Sequence, residues 1–337
     1  VDAVLNALDS LGRAARARTK AQIIAVSRSA GKTSTKEAMA HGLSECGRDL
    51  ASTASCTNHW GVPLTLARMP ADTDYAVIEI GMNAPGEIAP LARMARPHVA
   101  IVTTIAAAHL EAFGSVEGIA REKAAIFGAL EPEGTAIFHG DLPTGILTEL
   151  EGPARASGGS VLRFGAGETC QYRLLDVRVA DRVTAARAET PSGEVLFKLG
   201  SPGRHFALNG LAVLAAAQAL GADLALAAVG LGGWSPPEGR GTLERLSLDP
   251  VEVDATVDLI DDAFNANPTS MACALEVLAA TAPRDGIGRF SRGRRIAVLG
   301  DMLELGPTER QMHEGIAALD SLRSLDQVHC AGPRMRA

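Results

Sequence analysis

QIIAVSRSAGKTSTKEAM, residues 22–39, joins a short apolar run to a small-residue loop and then to a helix-forming segment. Ile23, Ile24, Ala25 and Val26 form an unbroken apolar run, the pattern of a strand buried on both faces of a parallel sheet. Ser27 to Gly31 supplies the turn, in which Ser29, Ala30 and Gly31 are small residues suited to close approach of an anion. Lys32, Thr33 and Ser34 then open a helix, so unpaired backbone N–H groups and the positive end of the helix dipole face whatever the loop encloses. Lys32 is placed to reach terminal phosphates, and the Thr33 hydroxyl to ligate Mg²⁺. Val26 stands where the full GxxxxGK[ST] pattern has its first glycine, but AGKTS keeps the strand-to-helix context that the pattern requires. The competing reading is an ordinary glycine-containing turn between a strand and a helix.

The chain has 337 residues, enough for two domains at roughly 150 residues each. Apolar residues make up 47% and charged residues 21%, a globular composition. A net charge of −7 argues against a nucleic-acid or membrane-surface partner that depends on a general basic field. No apolar run is long enough to span a bilayer and no signal-peptide core opens the chain, so a soluble, cytoplasmic protein is expected. A monomer is the separate expectation for its assembly. Cys46, Cys56, Cys170, Cys273 and Cys330 are far apart in sequence, which suggests neither a disulfide framework nor a zinc site. The first residue is not Met and the last segment stops without an obvious terminal element, so the sequence reads as a fragment.

Residues 1–20 have apolar residues at helical spacing and basic residues toward the end, one amphipathic helix leading into the sheet. Tyr75 to Ile80 is a second buried strand with Glu79 near its end. A carboxylate there faces the crevice in which open α/β sheets bind ligands, so Glu79 is a candidate Mg²⁺ ligand; a solvated strand-end Glu is the alternative. Glu87 to Arg96 reads as a helix and His98 to Ile105 as a third strand. His109 follows that strand, and Ser115 caps a helix carrying Lys123. A lone His or Lys is ordinarily structural or solvated; their common position at the carboxyl edge beside Glu79 makes both candidates. Gly134 to Phe138 is a further strand, followed by three antiparallel strands within 171–199, two small-residue helices over 203–220 and 223–231, and a linker at Pro236, Pro237 and Gly239. Beyond it come strands at 257–260, 295–299 and 327–330 with helices at 267–280 and 308–319. The expected fold is α/β: a central P-loop-type, mostly parallel sheet flanked by helices with an antiparallel side sheet, plus a C-terminal Rossmann-like α/β domain, over 21–240 and 241–337.

AVSRSAGKTSTKEAMAHGL, NHWGVPLTLARMP, VIEIGMNAPGEIAPLARMARPHVAIVTTI, AHLEAFGSVEGIAREKAAIF, IDDAFNANPTSM and AVLGDMLELG together resemble the Mur ligases of peptidoglycan synthesis, from about residue 20 to 315. GMN…PGEI and NANPTSM resemble the branch that joins D-alanyl-D-alanine to UDP-N-acetylmuramoyl-tripeptide. The resemblance implies three parts: a UDP-substrate domain of which residues 1–20 would be the last helix, a central ATPase domain, and a C-terminal domain here cut short. It implies that Lys32 and Thr33 bind the phosphates and Mg²⁺ of ATP, that Glu79 and His109 surround the metals, and that Lys123 is carbamylated to ligate a second Mg²⁺. By the same resemblance Asn58 lies near the nucleotide and Asn209 on its adenine side, and Arg240, Asp262 and Asn265 close over ATP. The implied chemistry is phosphorylation of the tripeptide carboxylate and displacement of phosphate by the dipeptide amine, with Lys32 and His109 near the reacting groups. A non-catalytic nucleotide-binding relative, and another amide ligase of folylpolyglutamate type on the same scaffold, are the alternatives.

Several positions depart from the family pattern: Thr57 replaces an Asn, Ala84 a His, Ala106 a Gly, Phe264 a Tyr and Ala125 a Glu. Arg28 stands at a glycine position of the phosphate loop. If that position requires φ > 0, an arginine costs on the order of 1 kcal/mol or more, and its side chain blocks phosphate or salt-bridges it. The block is the favoured expectation, so that the chain binds ATP weakly and Arg28→Gly tightens binding; a bidentate bond to phosphate predicts the opposite.

Overall fold

In a computed structural model, residues 2–29, 32–51, 57–180, 182–251, 255–287 and 291–336 are described, without the side chains of residues 2, 32 and 33. The chain begins with α1 (Asp2–Arg18), β1 (Gln22–Ser27), α2 (Lys32–Ser44), β2 (Asp49–Ala51), α3 (Gly61–Arg68), β3 (Tyr75–Glu79), α4 (Ile88–Ala95) and β4 (Val99–Val102). It continues through α5 (Leu110–Phe113), α6 (Val116–Ala124), β5 (Thr135–His139), α7 (Thr144–Ala156) and β6 (Ser160–Gly165). A meander of β7 (Tyr172–Ala180), β8 (Val183–Thr190) and β9 (Gly193–Leu199) leads into α8 (Arg204–Ala219) and α9 (Leu224–Leu231). Past the linker come β10 (Thr242–Ser247), β11 (Thr256–Asp261), α10 (Pro268–Ala280), β12 (Ile296–Leu299), α11 (Glu309–Ile316) and β13 (Gln327–Cys330).

Among the described residues β2 to β9 and β1 form one nine-stranded sheet, in the order β2-β3-β1-β4-β5-β6-β7-β8-β9. Pairing is parallel from β2 to β7 and antiparallel from β7 to β9. The expected antiparallel strands lie at the side of the main sheet as its continuous edge, because Phe164 of β6 pairs with Tyr172 of β7. Beyond the linker β10 pairs antiparallel with β11, and β12 parallel with β13.

The central strand β1 is buried on both sides, as its uniform apolar run implies. Ile24 and Val26 pack with Met39 and Leu43 of α2 and with α8 and α9, while Ile23 and Ala25 pack with α3, α4, α6 and α7 on the other face. Each fully buried Ile or Val contributes about 1.5–3 kcal/mol relative to exposure. Behind the sheet α2 and α9 cross with their backbones almost touching: a Cβ on Gly230 would stand 2.3 Å from the His41 carbonyl oxygen. Asp2–Arg18 forms the helix expected within residues 1–20, and α1 is tied to the sheet's helical layer by Arg16. The Arg16 guanidinium donates to the carbonyls of Ala95 at 2.7 Å and Arg96 at 2.9 Å, satisfying the end of α4, where a cation also suits the helix dipole. A third apolar cluster, including Met271, Leu275, Leu299 and Ile316, forms the core beyond the linker.

Candidate nucleotide site

The carboxyl ends of β1, β3 and β4 meet where the loop after β1 turns into α2. The Ser29 N–H donates to the Thr104 carbonyl at 2.8 Å and Thr103 N–H to the Ser27 carbonyl at 3.4 Å, which fixes the loop against the end of β4. Residues 30 and 31 lie outside the described residues, as do the side chains of Lys32 and Thr33, so their expected phosphate and metal contacts are not located. The backbone of α2 does begin at Lys32, which puts a helix N-terminus directly after the loop.

Three candidate residues surround this turn differently. Glu79, 1% exposed, ends β3 and pairs in register with Val26 of β1. Lys123, 2% exposed, reaches over from α6, and its Nζ donates to the Arg28 carbonyl at 3.0 Å and to Ser27 Oγ at 3.5 Å. Its helix is capped as expected, the Gly118 N–H donating to Ser115 Oγ at 3.0 Å. The His109 Nδ1 lies 2.7 Å from Glu304 Oε2, a residue beyond the linker. Both partners hold left-handed backbone, φ 57° and 60°.

Arg28 is not among the positive-φ residues, so the strain expected of a non-glycine there does not arise. Its side chain, 1% exposed, is buried in the site: one guanidinium nitrogen donates to Thr35 Oγ1 of α2, while Nε and the other terminal nitrogen meet no partner among the described residues. Burial pulls its pKa down to about 9, with Glu79 opposing that shift and Arg240 adding to it. Lys36, also on α2 and 2% exposed, is lowered by burial and supported chiefly by Glu79.

On the far side of the loop a cavity of about 120 Å³ is lined by Ser34, Asn209, Arg240, Asp262 and Asn265 together with His205, Phe206 and His139. Five residues expected around the nucleotide from separate motifs thus share one cavity wall. Arg240 lies over the Phe264 ring, 4.1 Å from its centroid, so the Phe at this departing position supports the arginine through its π face. Burial drives the His205 pKa down to about 4, with Arg28 adding to it, and the imidazole is neutral near pH 7. Asn58 lies apart from that cavity; its Oδ1 accepts from the Trp60 and Gly61 N–H groups at 3.1 Å each, shaping the start of α3, while the adjacent Thr57 carbonyl accepts from Gly81 N–H at 2.8 Å just past β3. Thr35, Lys36, His205 and Asn267 were not singled out by the sequence. Asn267 is the most informative: its Oδ1 caps α10 by accepting from Ser270 N–H at 3.0 Å, and its Nδ2 donates to the Ser29 carbonyl at 3.3 Å, 238 residues away. Asn in a capping position before Pro268 was the available signal.

Of the residues expected around a metal, Glu79 and Lys123 are buried at this turn, and His109 makes an ion-pair contact with Glu304. Among the described residues no group of three His, Cys, Asp or Glu side chains is placed to hold a metal ion.

Residues 26–217 match the Mur ligase middle domain and residues 248–337 the glutamate ligase domain of Mur ligases. The chain belongs to the Mur ligase family. It is 35% identical to the UDP-N-acetylmuramoyl-tripeptide–D-alanyl-D-alanine ligase of Escherichia coli over 96% of this chain and 67% of the relative. Among solved Mur ligases, MurF from Acinetobacter baumannii superposes with TM-score 0.84 at 29% identity, covering 98% of this chain and 68% of that one. MurF ligase from Thermotoga maritima, solved in complex with ADP, gives 0.82 at 25% identity, covering 100% and 73%. No described helix is long and apolar enough to cross a membrane.

Proposed function

We propose that this chain catalyses the ATP-dependent, ADP-forming addition of D-alanyl-D-alanine to UDP-N-acetylmuramoyl-tripeptide through an acyl phosphate, as a cytoplasmic monomer supplying peptidoglycan precursor. The observation that carries the reading is the shared cavity: Ser34 from the start of α2, Asn209 from α8, and Arg240, Asp262 and Asn265 from beyond the linker line one space beside the phosphate loop. In this reading the loop backbone over 29–34 and Lys32 hold the phosphates, and the cavity takes the base and ribose. Lys123 fixes the loop through the Arg28 carbonyl and, in this arrangement, acts as a donor. A carbamate there would exchange that donor for an anion. Catalysis is then chiefly positioning and electrostatic stabilisation of the transferred phosphoryl group. Arg28, Lys36 and Arg240 add fixed positive charge around it.

The test is ADP release measured with both substrates, with each alone, and with L-glutamate in place of the dipeptide. ADP formation that requires the UDP-tripeptide and D-alanyl-D-alanine together supports the reading. Release that depends on glutamate supports the folylpolyglutamate-type alternative, and nucleotide binding without turnover supports a non-catalytic relative.

A further inference from the structure

Arg28 has no counterpart in the glycine that the family pattern sets at this place, and its surroundings are unusual for an arginine. The guanidinium is 1% exposed and makes one hydrogen bond, to Thr35 Oγ1, among the described residues. Its Nε and second terminal nitrogen are buried without an acceptor. A buried cation left with unused donors is costly, and replacing it by an apolar side chain of similar volume is commonly neutral or stabilising. The groups around it belong to the phosphate end of the site. Thr35 lies in the opening turns of α2, Glu79 is the carboxylate that favours its charge, and His205 and Arg240 come from the cavity wall. The same carboxylate supports Lys36. Glu79, expected as a metal ligand, is thus also within the field of organic cations.

We propose that Arg28 is the resident cation of the phosphate site, its unused guanidinium donors binding the nucleotide's phosphate oxygens and supplying part of the positive charge that a divalent metal would otherwise bring. Guanidinium suits this task because its donors form a rigid fork that matches phosphate and cannot be lost to solution as an ion can. The proposal rests on the nucleotide reading above and deepens it: the ligand class is a nucleoside di- or triphosphate, and the consequence is binding that depends weakly on Mg²⁺.

Isothermal titration of ADP and of ATP, each in excess Mg²⁺ and in EDTA, tests this with the wild type, Arg28→Met and Arg28→Lys. Arg28→Met keeps the packing volume without the charge, and its thermal unfolding is expected at or above the wild-type temperature. A charge-assisted bond to phosphate is worth about tenfold to a hundredfold in affinity. The wild type is therefore expected to lose less than about tenfold on removing Mg²⁺, and Arg28→Met to lose about tenfold to a hundredfold more, with Arg28→Lys between them. An equal loss in wild type and Arg28→Met would overturn the proposal while leaving the nucleotide site standing. Tighter binding by Arg28→Met or by Arg28→Gly would overturn it in favour of a steric block. Absence of binding by every form, with Mg²⁺ and without, would overturn the proposal and the nucleotide reading together.

Discussion

Replacing Asn267 separates the two jobs that one side chain does at the junction of the phosphate loop and α10. The Oδ1 atom accepts from Ser270 N–H at 3.0 Å and caps the helix, while Nδ2 donates to the Ser29 carbonyl at 3.3 Å. Asn267→Ala removes both. Loss of the cap costs about 1 kcal/mol. Loss of a buried hydrogen bond costs about 1 kcal/mol more. A destabilisation of about 2 kcal/mol corresponds to a melting temperature lowered by about 3 °C in a chain of this size. Asn267→Asp keeps an acceptor for Ser270 and adds negative charge at a helix N-terminus, a favourable change of roughly 0.3–1 kcal/mol, but it removes the donor and sets a carboxylate against the Ser29 carbonyl. Calorimetric unfolding together with amide hydrogen exchange over 268–280 reads the helix; nucleotide titration reads the loop. The expected result is a helix protected in the Asp form and weakened in the Ala form, with nucleotide affinity reduced in both. If the Asp form unfolds as early as the Ala form, or the Ala form unfolds with the wild type, the division of labour is wrong.

Gly230→Ala places a Cβ 2.3 Å from the His41 carbonyl oxygen, so α2 and α9 must separate; a loss of about 1–3 kcal/mol is expected in urea unfolding, and an unchanged midpoint would show that the crossing yields freely. The folded-state pKa of His205 is depressed to about 4, so the unfolded chain binds more protons between that value and the ordinary one near 6.5. Its contribution to stability is therefore present above pH 6.5 and lost as pH falls toward 4, and the stability curve of His205→Asn should be flatter over that window; parallel curves would contradict the buried neutral imidazole. Cys170 is pushed up to about 11 by burial and by Asp141, and Cys273 to about 11 by burial and by Glu276, whereas Cys330 is exposed. Peptide-resolved alkylation at pH 8 should mark Cys330 well before the other two, whose thiolate fraction is on the order of one in a thousand; comparable rates would be evidence of local opening.

What the sequence by itself determined is what short-range pattern can encode. The apolar run 23–26, the small-residue turn and the AGKTS helix start define a buried strand, a loop and a helix N-terminus within eighteen residues, and the structure has β1 and α2 there. The strand ending in Glu79, the cap at Ser115 and the strand at Gln327–Cys330 were legible for the same reason, because periodicity and capping act within a turn or two. Ser160–Gly165 and Thr144–Ala156 were not read as a strand and a helix: the former mixes Arg and Gly into a short run, and the latter carries Pro153 inside it. Only the tertiary structure decided where the charges go. A local pattern says which glycine is missing at Arg28 but not where its long side chain is housed; Thr35, Glu79 and the elements bearing His205 and Arg240 provide that housing from four places in the chain. His109 also meets Glu304, a contact the sequence did not signal, because the part beyond the linker docks against it. The same docking brings Asn267 to Ser29, a contact that no pattern within a turn of either residue could specify.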